Sequence, residues 1–112
     1  MNSETKPLSE PVFLMLMSLA AKPRHGYALI KDIELLTAGR VRLTTGTLFG
    51  ALRRLLDDRL IERFEDEDRI RDKKSYQLTE AGLRQLEIEL DRMKQLTRAA
   101  LARLRAREEE QS

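Results

Sequence analysis

Hydrophobic positions along the chain fall into four stretches with helical spacing. Between the third and the fourth lie two short runs with strand character. The first stretch, Leu8 to Ala21, contains "VFLMLMSLAA", which is apolar all round apart from Ser18 and predicts a largely buried helix. Ser9 stands where an N-cap belongs, and Pro11 falls in the first turn, where a missing N–H does no harm. "AKPRHG" breaks the chain at Pro23 and Gly26. In "GYALIKDIELLT", Tyr27, Ile30, Ile33, Glu34 and Leu36 recur at helical spacing with Leu29 beside them. Lys31, Asp32 and Glu34 supply a polar face, so the segment reads as a short amphipathic helix that Gly39 stops.

The third stretch, "TTGTLFGALRRLLDDRLIE" (residues 44 to 62), reads as a helix running into a strand, with Thr44 or Thr45 as N-cap. Stepping about 100° per residue from Leu52 puts Leu48, Leu55, Leu56 and Arg59 on a core side. Gly46, Thr47, Gly50, Arg54 and Asp57 point away, and Arg53 flanks them. Glycine costs a helix interior about 1 kcal/mol relative to alanine. Two of them on the outward face imply that something must approach the backbone closely. A helix N-terminus stripped of bulk can press its free N–H groups and its dipole against a polyanion.

"LIERF" and "KSYQL" are rich in β-branched and aromatic residues and predict a two-stranded hairpin with a long loop, Glu65 to Asp72. Two strands alone are marginal, so the hairpin must lean on the helices. The last stretch begins at Thr79 and runs to about Arg107. Leu83, Leu86, Leu90, Met93, Thr97, Ala100 and Leu104 repeat at three-four spacing, and Leu96 and Leu101 widen the stripe. Such a helix is about 42 Å long, more than a domain of this size can cover. A second copy of the chain is the simplest cover, and the stripe, with Leu101, is the candidate dimer interface. The chain then divides into a flexible N-terminus (1–7), a helical and hairpin domain (8–78), a C-terminal helix (79–108) and a tail (109–112).

The charge balance changes the picture locally. Among 112 residues the net charge is only +2, yet the stretch from Arg40 to Arg54 holds four arginines and no acid. It suits either a phosphate-facing surface or a solvated face. There is no cysteine, and no apolar run approaches the roughly 18 residues of a membrane span. "MNSETKPLSEP" lacks the basic start of a secretory signal, so a cytoplasmic location is expected. His25 is the lone histidine, without an acid–base constellation, and reads as a cap or a packing residue. The acids after Glu65 reach Ile70 where an EF-hand needs an oxygen ligand. Neither phosphate-loop nor dinucleotide fingerprint occurs. No catalytic residue, metal site or cofactor is expected, and the chain does not read as an enzyme.

The order helix, helix, turn, helix, hairpin, long helix is that of a winged helix-turn-helix followed by a C-terminal dimerisation helix, mainly α with a small β-hairpin. "HGYALIKDI" (His25 to Ile33), "GTLFGALRRLLDDRLIE" (Gly46 to Glu62) and "KSYQLTEAGLRQL" (Lys74 to Leu86) resemble the PadR family of bacterial transcriptional regulators. The family runs as an HGY-type opening of the second helix, a GTLY-P-ALRRLE-GLI recognition segment, and a Y-LT-GR-L strand-to-helix junction. The resemblance covers about residues 8 to 90, and the length is similar to the short branch with a single C-terminal helix. Phe49 replaces the family's usual Tyr, Gly50 its Pro, and Arg59 the Gly before "LI". The C-terminal helix has no Trp, so it cannot stack flat aromatics between tryptophans as some drug-sensing short members do.

The resemblance implies a homodimeric transcription factor, often a repressor, on a roughly palindromic double-stranded DNA operator, released by a small-molecule effector or another signal. Thr44, Thr45, Thr47, Arg53 and Arg54 are then the DNA-contacting candidates of the third helix. Thr45 also suits capping or core contact, and Arg53 a pairing with Asp57 four residues on. In the wing, Arg69, Arg71, Lys73 and Lys74 would follow the DNA backbone while Glu65 to Asp68 point away; the plain alternative is a solvated loop. Tyr27, Phe49, Phe64 and Tyr76 read as core. Two other functions stay open: a winged-helix protein-interaction module, which the acidic wing favours, and a ligand-binding helical dimer with weak DNA binding.

Overall fold

The computed structural model describes residues 7–64 and 74–111. The elements run α1 (Glu10–Ala21), β1 (Arg24–His25), α2 (Gly26–Leu36), α3 (Thr45–Asp57), β2 (Ile61–Phe64), β3 (Ser75–Leu78) and α4 (Glu80–Gln111). Ser9 caps α1, its hydroxyl accepting from the Val12 N–H at 3.4 Å. As the all-round apolar pattern requires, Phe13, Leu14, Met15 and Leu16 are buried one after another, and α1 packs on α2, α4 and β3. Leu29 and Ile33 of α2, Leu48, Leu52 and Leu55 of α3, and Ile61, Tyr76 and Leu86 complete one core.

The expected hairpin is present, but the sheet has three strands in the order β1-β3-β2, all antiparallel. Arg24 and His25 pair with Tyr76 and Ser75. Two residues are too few to show an alternating pattern, so sequence alone gave no sign of β1. Its side chains make the strand. The His25 Nδ1 lies 3.0 Å from the Ser75 hydroxyl, while the Arg24 Nε donates to the Ser18 carbonyl at 3.1 Å and its guanidinium meets Asp32 at 3.4 Å. Ser18, the one polar break in α1, donates to the same Asp32 carboxylate at 2.5 Å. A buried hydroxyl and a largely enclosed ion pair thereby satisfy each other, where either alone would be costly. His25 occupies the N-cap position of α2 without a side-chain cap bond; its ring serves the sheet instead.

Both α2 and α3 end in paired bonds of the Schellman type. Gly39 N–H donates to the Glu34 carbonyl and Ala38 N–H to Leu35, with positive φ at Ala38 (51°) and Gly39 (83°). The helix-stop at Gly39 therefore begins one residue earlier. After α3, Leu60 N–H donates to Leu55 and Arg59 N–H to Leu56, and Arg59 takes φ 59°. Arg59 is thus outside the helix and exposed, not on its core side. The turn of the backbone at Asp58 and Arg59 ends the 100° stepping that put it there. In α2 the core face is Leu29 and Ile33, while Tyr27 and Leu36 of the expected stripe are exposed.

The junction into α4 is fastened to the end of α3. Thr79 N–H donates to the Leu60 carbonyl at 3.1 Å, the Thr79 hydroxyl donates to the Arg59 carbonyl at 2.7 Å, and Gly82 N–H donates to that hydroxyl at 3.0 Å. A Cβ on Gly82 would overlap the Leu60 carbonyl oxygen, so this position admits only glycine without moving backbone. Glu89, buried on the first turns of α4, accepts from Arg92 at 2.8 Å and from the Leu8 N–H at 3.5 Å. Past Arg92 every described residue of α4 is exposed. The helix continues to Gln111, beyond the tail expected from residue 109, because "RAREEEQ" contains no helix breaker. Its 32 residues rise about 48 Å, and the molecule measures 64 × 37 × 23 Å.

Candidate nucleic-acid interface

α3 opens with a cap built for exposure. The Thr44 hydroxyl accepts from the Thr47 N–H at 3.1 Å and donates to the Thr47 Oγ1 at 3.0 Å, which leaves Thr47's own hydroxyl proton to donate outward. Thr44 is therefore the N-cap. Thr45 is exposed, so it belongs neither to the cap nor to the core. From here the helix divides as the stepping of side chains predicted. Leu48, Leu52 and Leu55 are buried, Leu56 is half-buried, and Gly46, Thr47, Gly50, Arg53, Arg54 and Asp57 are exposed.

Among the described residues, the glycines on that outward face have no partner. A Cβ at Gly46 or at Gly50 would meet nothing within 4 Å. Neither glycine has the positive φ that would demand it. Local packing and backbone geometry thus give no reason for these two residues, unlike Gly82. Their effect is a shallow strip along the first two turns, bordered by the Thr47 hydroxyl and the two arginines of the third. Such a strip admits a bulky anionic partner to within contact of the helix backbone.

Charge completes the face. Among the described residues no carboxylate pairs with Arg53 or Arg54, so the Arg53–Asp57 pair weighed as the alternative to DNA contact is not formed. The other two arginines of the basic stretch are engaged elsewhere. Arg40 makes a two-pronged bridge to Glu10, at 2.7 and 3.1 Å, and Arg42 lies 3.9 Å from Glu34. The Arg40 guanidinium, chiefly through that hydrogen bond, holds the Glu10 carboxyl below its ordinary pKa. In the wing, Lys74 is exposed at the base of β3, whereas Arg69, Arg71 and Lys73 lie outside the described residues.

Two aromatic residues join this surface that sequence reasoning assigned to the core. Tyr27 is 61% exposed and Phe49 43%, and their rings meet edge to face at 5.9 Å, over Gly26. Phe64 is also exposed, and of the four expected core aromatics only Tyr76 is buried. The signal for Tyr27 was available. Once Leu29 and Ile33 define the buried face of α2, a residue two positions before Leu29 lies about 200° away from it. On α4, Leu86 is buried in its own core, while Leu83, Leu90, Met93, Thr97, Ala100, Leu101 and Leu104 are exposed. The apolar stripe expected between copies thus lacks one residue, which the protomer itself uses. No described helix is long and apolar enough to cross a membrane.

Comparison with known proteins gives the same architecture. The model of the transcriptional regulator PadR-like family matches residues 15–88. Among solved structures, a PadR family transcription regulator from Clostridium difficile superposes with a TM-score of 0.71 at 23% identity, over 86% of this chain and 99% of that one. A PadR-like transcriptional regulator from Bacillus cereus gives 0.69 at 22% identity, over 83% and 89%. RosR of H. salinarum gives 0.64 at 20% identity, over 92% and 99%. An uncharacterized 37.1 kDa protein in transposon Tn4556 of Streptomyces fradiae is 39% identical over 84 residues; the match takes in 75% of this chain but 23% of that protein's length.

Proposed function

Since the chain belongs to the PadR-like family of transcriptional regulators, and so to DNA-binding regulators rather than enzymes, we propose that it is a repressor that binds a palindromic operator as a homodimer. The observation that carries this reading is the outward face of α3. There, two glycines that no described residue touches, a free threonine proton and two arginines without a carboxylate partner among the described residues converge. Each α3 enters a major groove, Thr47 and the arginines meeting phosphate or base edges, with half-sites about one helical turn (34 Å) or a multiple apart. Lys74 and the basic half of the wing follow the backbone beside it. The exposed stripe of α4 pairs with a second copy and fixes the two-fold. Occupation of promoter DNA in the cytoplasm blocks transcription, and a small-molecule effector releases it.

The test is fluorescence anisotropy on a labelled duplex from the gene's own promoter, beside a shuffled duplex, at two salt concentrations. Tight binding to the promoter alone, weakening steeply with salt, supports the reading. Thr47→Ala with Arg54→Ala should then lower affinity about 10- to 100-fold while the dimer persists. Equal, weak binding to both duplexes, unchanged in the double variant, would overturn sequence-specific recognition at this promoter and favour a protein partner for the winged helix.

A further inference from the structure

Phe49 stands at the edge of the outward face of α3, between the buried Leu52 and the exposed Arg53 and Gly46. Stepping about 100° per residue puts it about 40° from Arg53 and about 60° from Gly46. Its ring is 43% exposed, yet it is held in place. The Tyr27 ring meets it edge to face at 5.9 Å, with 76° between the planes. Gly26 makes the seat: a Cβ there would come within 3.3 and 3.4 Å of two carbons of the Phe49 ring. Leu48, one residue before it, is fully buried and anchors the helix beneath. The open edge of the ring borders the shallow strip left by Gly46 and Gly50, where a Cβ would meet nothing within 4 Å.

We infer that Phe49 is a specificity residue that reads the C5-methyl group of one thymine in each half-site. The inference rests on the DNA-binding reading of α3 and deepens it. Phenylalanine has no hydroxyl with which to meet a phosphate oxygen or a polar base edge. Of the four bases, only thymine shows the major groove an apolar group, and a phenyl ring is among the side chains that suit it. Thr47, Arg53 and Arg54, exposed beside it, offer hydrogen bonds for phosphates and polar edges. The ring adds the apolar contact that they lack. Because it is already seated, it loses little conformational freedom on contact, and burial of the methyl is nearly all gain. The bare backbone of the two glycines lets a base edge come in from the side. Removing the methyl should weaken binding about fourfold per half-site, the worth of one buried carbon.

The test selects duplexes from a synthetic random pool, with the full chain and with Phe49→Ala. The pool is unmethylated, so thymine rather than 5-methylcytosine is its only source of this methyl. The unaltered protein should fix one thymine in each half-site, and Phe49→Ala should keep the remaining pattern without that preference. Deoxyuridine then replaces the fixed thymine, and anisotropy should show about fourfold weaker binding per half-site for the unaltered protein. Phe49→Ala should bind the two duplexes equally. If Phe49→Ala folds poorly, Phe49→Leu, which keeps the core side filled but shortens the reach, takes its place. Tolerance of deoxyuridine at every thymine would overturn the proposal and leave sequence-specific recognition standing; a ring packed on deoxyribose would give that result. A penalty undiminished in the Phe49 variant would also overturn it and hand the methyl to another side chain. A pool from which no sequence is selected would strike down the operator reading, and this one with it.

Discussion

The outward face of α3 and the distal half of α4 are both left unsatisfied by the protein's own packing, and they differ in how water treats them. α3 presents glycine, threonine and arginine, all content in solvent. α4 presents Leu90, Met93, Leu96, Leu101 and Leu104, with Leu104 57% exposed. A bare polar strip can wait for its partner without cost. An apolar stripe of this length cannot, since each large side chain buried would contribute about 1.5–3 kcal/mol. The first surface is therefore suited to an encounter that comes and goes, and the second to one that persists.

The largest effect should come from attacking the persistent surface. Leu90→Glu with Leu101→Glu is expected to convert the protein to a monomer by light scattering. Operator affinity should fall about 100-fold or more as the two half-sites lose their linkage. Variants that stay dimeric would place the interface elsewhere. Next, glycines separate the two kinds of demand. Gly82→Ala, pressing on the Leu60 carbonyl, should cost about 3 kcal/mol in urea melts. Gly50→Ala, with open space around it, should gain about 1 kcal/mol and still weaken DNA binding. If Gly50→Ala left DNA binding unchanged, the shallow strip would not be where the duplex sits.

The remaining effects are smaller and lie at the margins of the comparison. Arg59→Gly should stabilise the protein by about 1 kcal/mol, because a residue with a Cβ is held at φ 59° where glycine rests easily. The bridge between Glu10 and Arg40 should matter least, since both groups are exposed. The carboxyl of Glu10 titrates lower in the folded protein than in the unfolded chain. Its contribution is therefore fully present above its unfolded pKa and disappears as pH falls through the folded one. Glu10→Gln should flatten that acid limb of a stability–pH profile and leave neutral pH nearly unaffected.

What the chain announced and what it concealed follow from the length over which each signal extends. The Ser9 and Thr44 caps, the all-round apolar α1 and the Gly–Thr–Arg face of α3 are local chemistry, readable from a few neighbouring residues. β1 is two residues long, and its reason lies 50 residues away in the His25–Ser75 contact. The exposure of Phe49, which by stepping lies on the Leu52 side of α3, depends on how α2 and α3 cross, which no single-helix periodicity contains. Leu86 looks like its neighbours on the α4 stripe, yet the contact with α1 and β3 takes it and leaves Leu83 outside. The substitution of Arg for the family's Gly at 59 was visible as a departure; only the backbone turn explains why glycine is usual there.

The clasp of Thr79 and Gly82 on the Arg59–Leu60 backbone has a consequence for measurement. It joins the end of α3 to the start of α4 at one short, hydrogen-bonded elbow. In a dimer built on α4, the two reading heads are then the points of a pair of callipers whose opening is set by the elbow and the helix, not by the DNA. Inserting one residue in α4 between the elbow and the pairing stripe would swing each head by about 100° and shift it about 1.5 Å along its own helix relative to that stripe. For such a dimer the spacing of half-sites would be a quantity the fold dictates, and an operator one base pair longer or shorter would be a different length altogether.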